Sequence, residues 1–485
     1  MSASIVTSAQ MRAAEQAAFA RGISADALVE EAGEGIARAI AKFFPRAGKC
    51  VVFAGKGHNA GDAFVAARLL AERGWQIETH LSHPEKELAS LTSQKLDALR
   101  QTGSAKSTTG PTIVLDGLLG LGARPPLRGA ILRACRKINR LRKNAFVVAI
   151  DLPSGLDGDS GDADENCVRA NLTVTIGAGK RGLLSDGALD FVGRLEVASL
   201  DQLRVPQSRD QLAIPEVLCG ALPRRKFSAY KNQFGRIGVV AGSRGFCGAA
   251  VLCSLGALRA GGGLVELFVP EEIYEVVGAS AAPEVMVKPL ESYGELLDQP
   301  VDVWAIGPGL GKSRAEQILA LMCDARQPMV IDADGLNILS TRLTTLKKAR
   351  GSRLLTPHPG EMERLCPAGK MSRAKLATTF CEKYGVTLLL KGSRTIVAGP
   401  ARGLSYNTTG NPGMATGGMG DILTGVCGSL LGQKLAPNDA ARLGAWLCGR
   451  AAELAISSGQ ASEESLLPSD VIDFLGAAFN DLRVA

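Results

Sequence analysis

The chain has 485 residues, 46% hydrophobic and 21% charged, with 55 basic and 48 acidic side chains giving a formal net charge of +7. That balance buries sizeable cores and excludes a disordered scaffold; at ~150 residues per domain it implies two to four domains. The excess charge is too mild for a nucleic-acid binder, and the one basic cluster, Arg224-Arg225-Lys226 to Lys231, reads as a solvated linker.

The first forty residues read as two helices broken at Gly22, because Ala13, Ala17 and Ala20, then Leu28, Ala32, Ile36 and Ile40, recur at helical steps. From Lys49 short apolar runs alternate with polar helical stretches. The runs are Cys50–Ala54, Ile77–Leu81, Ile113–Leu115, Phe146–Ile150 and Leu172–Ile176, and strands alternating with helices imply a covered parallel sheet. Between Asp201 and Gln233 the periodicity fades and Pro206, Pro215 and Pro223 appear, which places a domain boundary there. A second alternation follows, with strands at Ile237–Ala241, Leu264–Val269, Val301–Ile306, Met329–Ile331, Leu354–Leu355 and Val386–Leu390. Helices are expected over Asp421–Leu431 and Asp439–Ile456. The domains are read as 1–207 and 208–485.

Glycine, at 57 residues, is about 12% of the chain against a usual ~7%, with no Gly-X-Y period. Such density suits tight turns and close approach of backbone to a ligand. Eleven cysteines, an odd number with no C-x-x-C, argue against disulfides or a zinc ribbon and for a reducing cytoplasm. His80 and His83 lack a cysteine partner and read as a surface loop. No apolar run reaches the ~18 residues of a membrane span, and no secretory signal is visible over Met1–Glu15.

Three strand ends of the first half carry polar turns: Gly55-Lys56-Gly57-His58-Asn59-Ala60-Gly61-Asp62, Asp116 to Gly122, and Asp151-Leu152-Pro153-Ser154-Gly155. In an open parallel sheet such ends line the ligand crevice. Asn59, Asp116 and Ser154 offer hard oxygens suited to an alkali or alkaline-earth cation; singly, each could simply cap a turn. Together with the lead-in Leu28-Val29-Glu30-Glu31-Ala32-Gly33, these segments resemble the NAD(P)H-hydrate epimerase domain, over about residues 8–205.

That resemblance implies a Rossmann-like three-layer α/β/α fold and potassium at Asn59, Asp116 and Ser154. It implies substrate contacts at His58, Asn59, Ala60, Gly61, Asp62, Gly120, Leu121, Gly122, Ala123, Arg124, Pro125, Pro126 and Asp151, the last as acid/base. His58 and Ala63 stand where the family usually has asparagine and glycine.

In the second half, strand Val301–Ile306 ends in Gly307-Pro308-Gly309-Leu310-Gly311, and Asp332-Ala333-Asp334-Gly335 ends the next. Thr356-Pro357-His358-Pro359-Gly360-Glu361 holds a histidine between prolines just before a helix whose first turn Glu361 suits. Lys391-Gly392-Ser393-Arg394-Thr395 could hold phosphate or form a polar hairpin. Asn411 to Asp421 places Gly417, Gly418 and Gly420 before an apolar helix, where amides form an anion hole. Asp421 can accept a proton beside it.

A glycine-rich anion hole followed by aspartate resembles ribokinase-like enzymes. With Gly242-Ser243 and Gly248-Ala249-Ala250, the set resembles ADP-dependent NAD(P)H-hydrate dehydratase, over about residues 215–480. This implies substrate contacts at Ala250, Gly309, His358 and Asp421, and nucleotide contacts at Lys391, Gly392, Ser393, Arg394, Thr395 and Gly420. It also implies ADP as co-substrate, Mg2+ on the phosphates, and a bifunctional enzyme repairing the hydrates NADHX and NADPHX. A cytoplasmic homo-oligomer without nucleic-acid or membrane partners is expected. The rival reading is a vitamin or sugar kinase with an N-terminal domain that binds a nucleotide or a partner.

Overall fold

The computed structural model describes residues 3–103, 105, 109–122 and 124–484. The chain forms two compact units, one ending at Leu212 and one beginning at Ala213.

The first unit opens with helix Ser8–Ala20, started by a capping box in which Thr7 and Gln10 satisfy each other's backbone amides. Gly22, at φ 87°, turns the chain into helix Ala25–Phe43. That helix buries Leu28, Val29, Ala32, Ile36 and Ile40 along one stripe, each larger side chain contributing about 1.5–3 kcal/mol. Six parallel strands follow in the spatial order Gln76–Leu81, Lys49–Ala54, Thr112–Gly117, Phe146–Ile150, Leu172–Ile176, Arg194–Ala198. The chain starts at Lys49–Ala54, steps to one side, and returns to the other at Thr112–Gly117. A crevice opens at such a reversal. A separate parallel pair, Ile5–Val6 with Gly179–Lys180, fixes the backbone of Lys180.

The second unit repeats the device on its own sheet. Its first strand, Arg236–Val240, has Leu264–Pro270 on one side and Val303–Ile306 on the other. The reversal therefore lies between Arg236–Val240 and Val303–Ile306. Met329–Ile331, Arg353–Leu355 and Thr387–Leu390 extend the parallel part, and Ile396–Ala398 and Ser405–Asn407 add antiparallel strands. Helices Met419–Gly432, Pro437–Ser457 and Pro468–Val484 bury Ile422, Val426, Leu430, Trp446 and Leu475 in its core.

Some expectations are corrected. His80 is not in a loop: it belongs to strand Gln76–Leu81, where Nε2 lies 2.6 Å from Glu78 Oε1. The helix after the first strand begins at His58, so His58–Asp62 is helical rather than a turn. Periodicity alone also missed Val285–Leu290, Arg194–Ala198 and Pro468–Val484.

Candidate functional sites

In the first unit the carboxyl ends of the strands open into a cavity of about 780 Å³. His58, Asn59, Asp62, Gly120, Leu121, Gly122 and Asp151 line it. Ala60 and Gly61 are buried in the first helical turn, and they, Arg124, Pro125 and Pro126 do not line it; Ala123 lies outside the described residues. The substitution at Ala63 is accommodated locally. Its buried methyl packs on Gly117, where an added Cβ would approach to 2.7 Å.

Asp116 and Ser154 are bonded directly, and Asn59 adjoins them through Leu119, whose amide donates to Ser154 Oγ at 3.0 Å. Asp116 is fully buried; its oxygens accept from Ser154 Oγ at 2.7 Å, Ser154 N at 2.8 Å and Leu118 N at 3.3 Å. Burial pushes its carboxyl up to about 6, and these three donors pull only part of the way back. Asn59 Nδ2 donates to the Leu119 carbonyl at 3.1 Å, which turns its oxygen toward Gly120. The cluster is all oxygen, with hydrogen-bond donors but no side-chain cation on Asp116.

Asp151 follows strand Phe146–Ile150 at φ 66°. Its carboxylate accepts from the Ile176 amide at 3.2 Å and pairs with Lys180, whose side chain is fully buried. Lys180 Nζ also donates to Thr175 Oγ1 at 3.1 Å and the Ile176 carbonyl at 2.7 Å. Sequence reasoning missed Lys180. The available signal was a lysine four residues past the buried strand Leu172–Ile176, in a stretch otherwise apolar or glycine.

In the second unit the turns at the reversal are tied together. Gly242 N donates to Pro308 O at 2.8 Å, and Ser243 Oγ donates to Gly309 O at 2.7 Å. Ala250, fully buried, stands one turn into helix Cys247–Arg259 beside them. His358 caps helix Pro359–Leu365: its Nδ1 accepts from Gly360 N at 3.0 Å, and its ring remains exposed. The Lys391 amide donates to Pro357 O at 2.8 Å, which sets the two turns side by side. Ser393 is held through its carbonyl by Arg373 Nη1 at 2.9 Å, Thr395 Oγ1 donates to Gly392 O, and Arg394 sits at φ 55°.

Beneath these turns lies a charge cluster. Lys391 Nζ is 2.7 Å from Asp332 Oδ1 and 3.8 Å from Glu361 Oε2, and Asp332 Oδ2 accepts from Thr424 Oγ1 at 2.7 Å. Asp332 and Glu361 are buried. Burial alone would pull the Lys391 ammonium down, but its carboxylate partners outweigh that and raise it. Gly418, at φ 95°, caps helix Met419–Gly432, a conformation that favours glycine. A Cβ at Gly420 would stand 3.2 Å from Lys391 Nζ and 3.4 Å from Asp332 Oδ2.

Asp421 follows in that first helical turn, and its carboxyl has no hydrogen bond among the described residues. Burial first, then the charges of Asp332 and Glu361, push it up to about 7, against a lowering by Lys391. The structure thus brings Gly420, Asp421 and Lys391 together, and adds Asp332, Glu361 and Thr424.

Two largely parallel sheets, each with polar turns at its reversal, and an unpartnered carboxyl on a glycine-capped helix define a two-unit α/β enzyme. Residues 237–474 match a family described as NAD(P)H-hydrate dehydratase, and residues 25–182 match one described as YjeF-related protein N-terminus. The chain is 33% identical to the bifunctional NAD(P)H-hydrate repair enzyme Nnr of Moorella thermoacetica, over 99% of this chain and 97% of that one. A crystal structure of the ADP/ATP-dependent NAD(P)H-hydrate dehydratase from Bacillus subtilis, with ATP and Mg2+, matches at TM-score 0.50 and 28% identity, covering 56% of this chain and 98% of that one. A ribokinase-like superfamily protein from Enterococcus faecalis also matches at TM-score 0.50, with 27% identity over 57% of this chain and 98% of that one. The second unit is therefore ribokinase-like. The chain belongs to the family of bifunctional NAD(P)H-hydrate repair enzymes.

Proposed function

We propose that this chain restores hydrated NAD(P)H in two steps, with an epimerase site in the first unit and an ADP-dependent dehydratase site in the second. The observation that carries the second step is Asp421, unpartnered at the glycine-rich start of an apolar helix and held half-buried above the Asp332–Lys391 pair. The Asp421 carboxylate takes the hydroxyl proton of the (S) hydrate, and the freed oxygen attacks the terminal phosphorus of ADP. AMP departs. The carbon–oxygen bond then breaks with its electron pair going to phosphate, which takes the proton of the adjacent ring carbon as the dihydronicotinamide double bond forms.

Amides at Gly418–Gly420 stabilise the charge on the transferring phosphoryl group; one such donor supports about 2.7–4 kcal/mol of transition-state stabilisation. Lys391, held by Asp332, sets a fixed positive charge under Gly420. Asp332, Glu361 and Asp421 all act on the Lys391 ammonium, with Asp332 committed to it and to Thr424. Glu361 would be the carboxyl to hold Mg2+, which would supply charge neutralisation on the phosphates. His358, whose ring is exposed, contacts the hydrate, while the fully buried Ala250 packs behind the Gly242 turn rather than on the ligand.

In the first unit Asp151 exchanges the proton that inversion of the hydroxyl-bearing carbon requires, and His58, Asn59, Asp62 and Gly120–Gly122 hold the dinucleotide. The Asp116, Ser154 and Asn59 oxygens fit a monovalent cation, because a fully buried carboxylate there has hydrogen-bond donors but no positive side chain. Potassium held there would supply charge balance to the buried Asp116 carboxylate. All eleven cysteines are unpaired, which supports a reducing compartment, and among the described residues no helix is long and apolar enough to cross a membrane.

The test incubates the protein with mixed hydrate epimers, ADP and Mg2+, and follows near-ultraviolet absorbance of the reduced dinucleotide. Recovery of both epimers is expected. A phosphorylated product with no recovered absorbance would instead establish a small-molecule kinase.

A further inference from the structure

The cavity of the first unit holds more acid than the function so far uses. Glu15, from helix Ser8–Ala20, lines it together with Asp62, Asp151 and Lys180. These are three carboxyls and one buried ammonium, and the ammonium is committed to Asp151. Neither Glu15 nor Asp62 has a hydrogen bond among the described residues. Asp62 is 8% exposed, whereas Glu15 is half-buried at the edge of the helix's Met11–Ala14–Ala18 stripe.

We propose that Glu15 is the proton donor that works opposite Asp151 in epimer exchange. This rests on the epimerase reading. The hydroxyl-bearing ring carbon is bonded to nitrogen, so inversion by ring opening moves protons at two different atoms. Asp151 takes the hydroxyl proton, and the O–H electron pair becomes the second bond of a carbonyl. The carbon–nitrogen bond breaks with its pair going to nitrogen, which receives the proton of Glu15. After rotation the nitrogen attacks the other carbonyl face and returns its proton to Glu15, and the oxygen recovers the proton held by Asp151. No proton is consumed. With two carboxyls the opening needs no transfer of one proton from oxygen to nitrogen by a single group.

The surroundings suit this division. Burial and the facing charge of Asp151 hold the Glu15 carboxyl above its ordinary range, opposed by Lys180, His58 and Arg12. Asp62 is raised as well, by burial and by Asp151 and Glu15, against Lys180. Asp151, by contrast, owns the ion pair. One cavity therefore contains a paired carboxylate and unpaired acids, the arrangement that separates base from acid.

The experiment starts from one purified epimer and follows formation of the other by chromatography, above the spontaneous rate, across pH. Wild-type exchange is expected to rise and then fall with pH. Glu15→Gln should lower kcat about 100-fold or more, the contribution of a positioned proton donor, with KM within a few-fold, and should lose the alkaline fall. Glu15→Asp should keep that fall at a reduced rate; circular dichroism should show both variants folded. A Glu15→Gln enzyme with wild-type kcat and an intact alkaline fall overturns the proposal. So does loss of that fall in Asp62→Asn but not in Glu15→Gln. Absence of exchange in the wild type would instead remove the epimerase reading itself.

Discussion

Holding Asp421 beside Asp332 and Glu361 costs the free protein stability. Its carboxyl is raised to about 7 from an ordinary 3.8, so its favourable contribution is complete below 3.8 and is lost as pH rises through about 7. A shift of that size corresponds to about 4 kcal/mol. Asp421→Asn should therefore raise the melting temperature of the free protein, more at pH 8 than at pH 5, while abolishing ADP-dependent dehydration; equal melting at pH 8 would contradict the argument. In the wild type, dehydration should rise with pH through about 7 as the base loses its proton, and a flat profile from pH 6 to 8 would exclude Asp421 as that base. Lys180 carries the opposite logic. Lys180→Met leaves Asp151 in a buried site without its cation, at a cost of about 3–5 kcal/mol in denaturant unfolding. Adding Asp151→Asn should recover part of that loss, because no buried charge then remains.

Among the elements, the two helices that flank the second site touch backbone to backbone. A Cβ at Gly425 would lie 1.9 Å from the Cys253 carbonyl, and one at Gly256 would lie 2.7 Å from that of Ile422. Helix Met419–Gly432 carries Asp421 and helix Cys247–Arg259 carries Ala250, so this contact sets the spacing of two site residues. Gly425→Ala must push the helices apart. It should cost at least the ~1–3 kcal/mol of an overpacked core and lower dehydration kcat, read by urea unfolding and by steady-state rates. A fully active, equally stable Gly425→Ala would show that the helices are not held at this distance. The sheets act similarly: each reversal of strand order leaves two adjacent carboxyl ends uncovered, and the polar turns occupy them.

For the whole molecule, two sites in two units predict separable defects. Asp151→Asn should leave dehydration of the (S) epimer intact, so that mixed hydrates recover only their (S) share at once and the remainder at the spontaneous exchange rate. Asp421→Asn should still exchange epimers while recovering none. If one substitution removed both activities in a folded protein, two independent sites would be the wrong arrangement.

Local sequence sufficed for the alternation of strands and helices and for the glycine-rich turns at strand ends. Buried parallel strands are near-continuous apolar runs, and Phe146–Ile150 and Met329–Ile331 follow such runs residue for residue, while Leu172–Ile176 alternates apolar residues with threonine. Asp116, Asp151 and Asp421 were visible because they follow or close strands and open helices, positions where a polar residue interrupts an apolar pattern. Strand Val285–Leu290 was not, since its Met286, Val287 and Lys288 are partly exposed at the sheet edge and show no buried run. Only tertiary structure decided which charges meet. Lys391 finds Asp332 from 59 residues away, Lys180 finds Asp151 from 29, and Glu15 enters the Asp151 cavity from the first helix. Pairing over such distances depends on strand order and helix packing, and these long-range contacts leave no periodic trace along the chain.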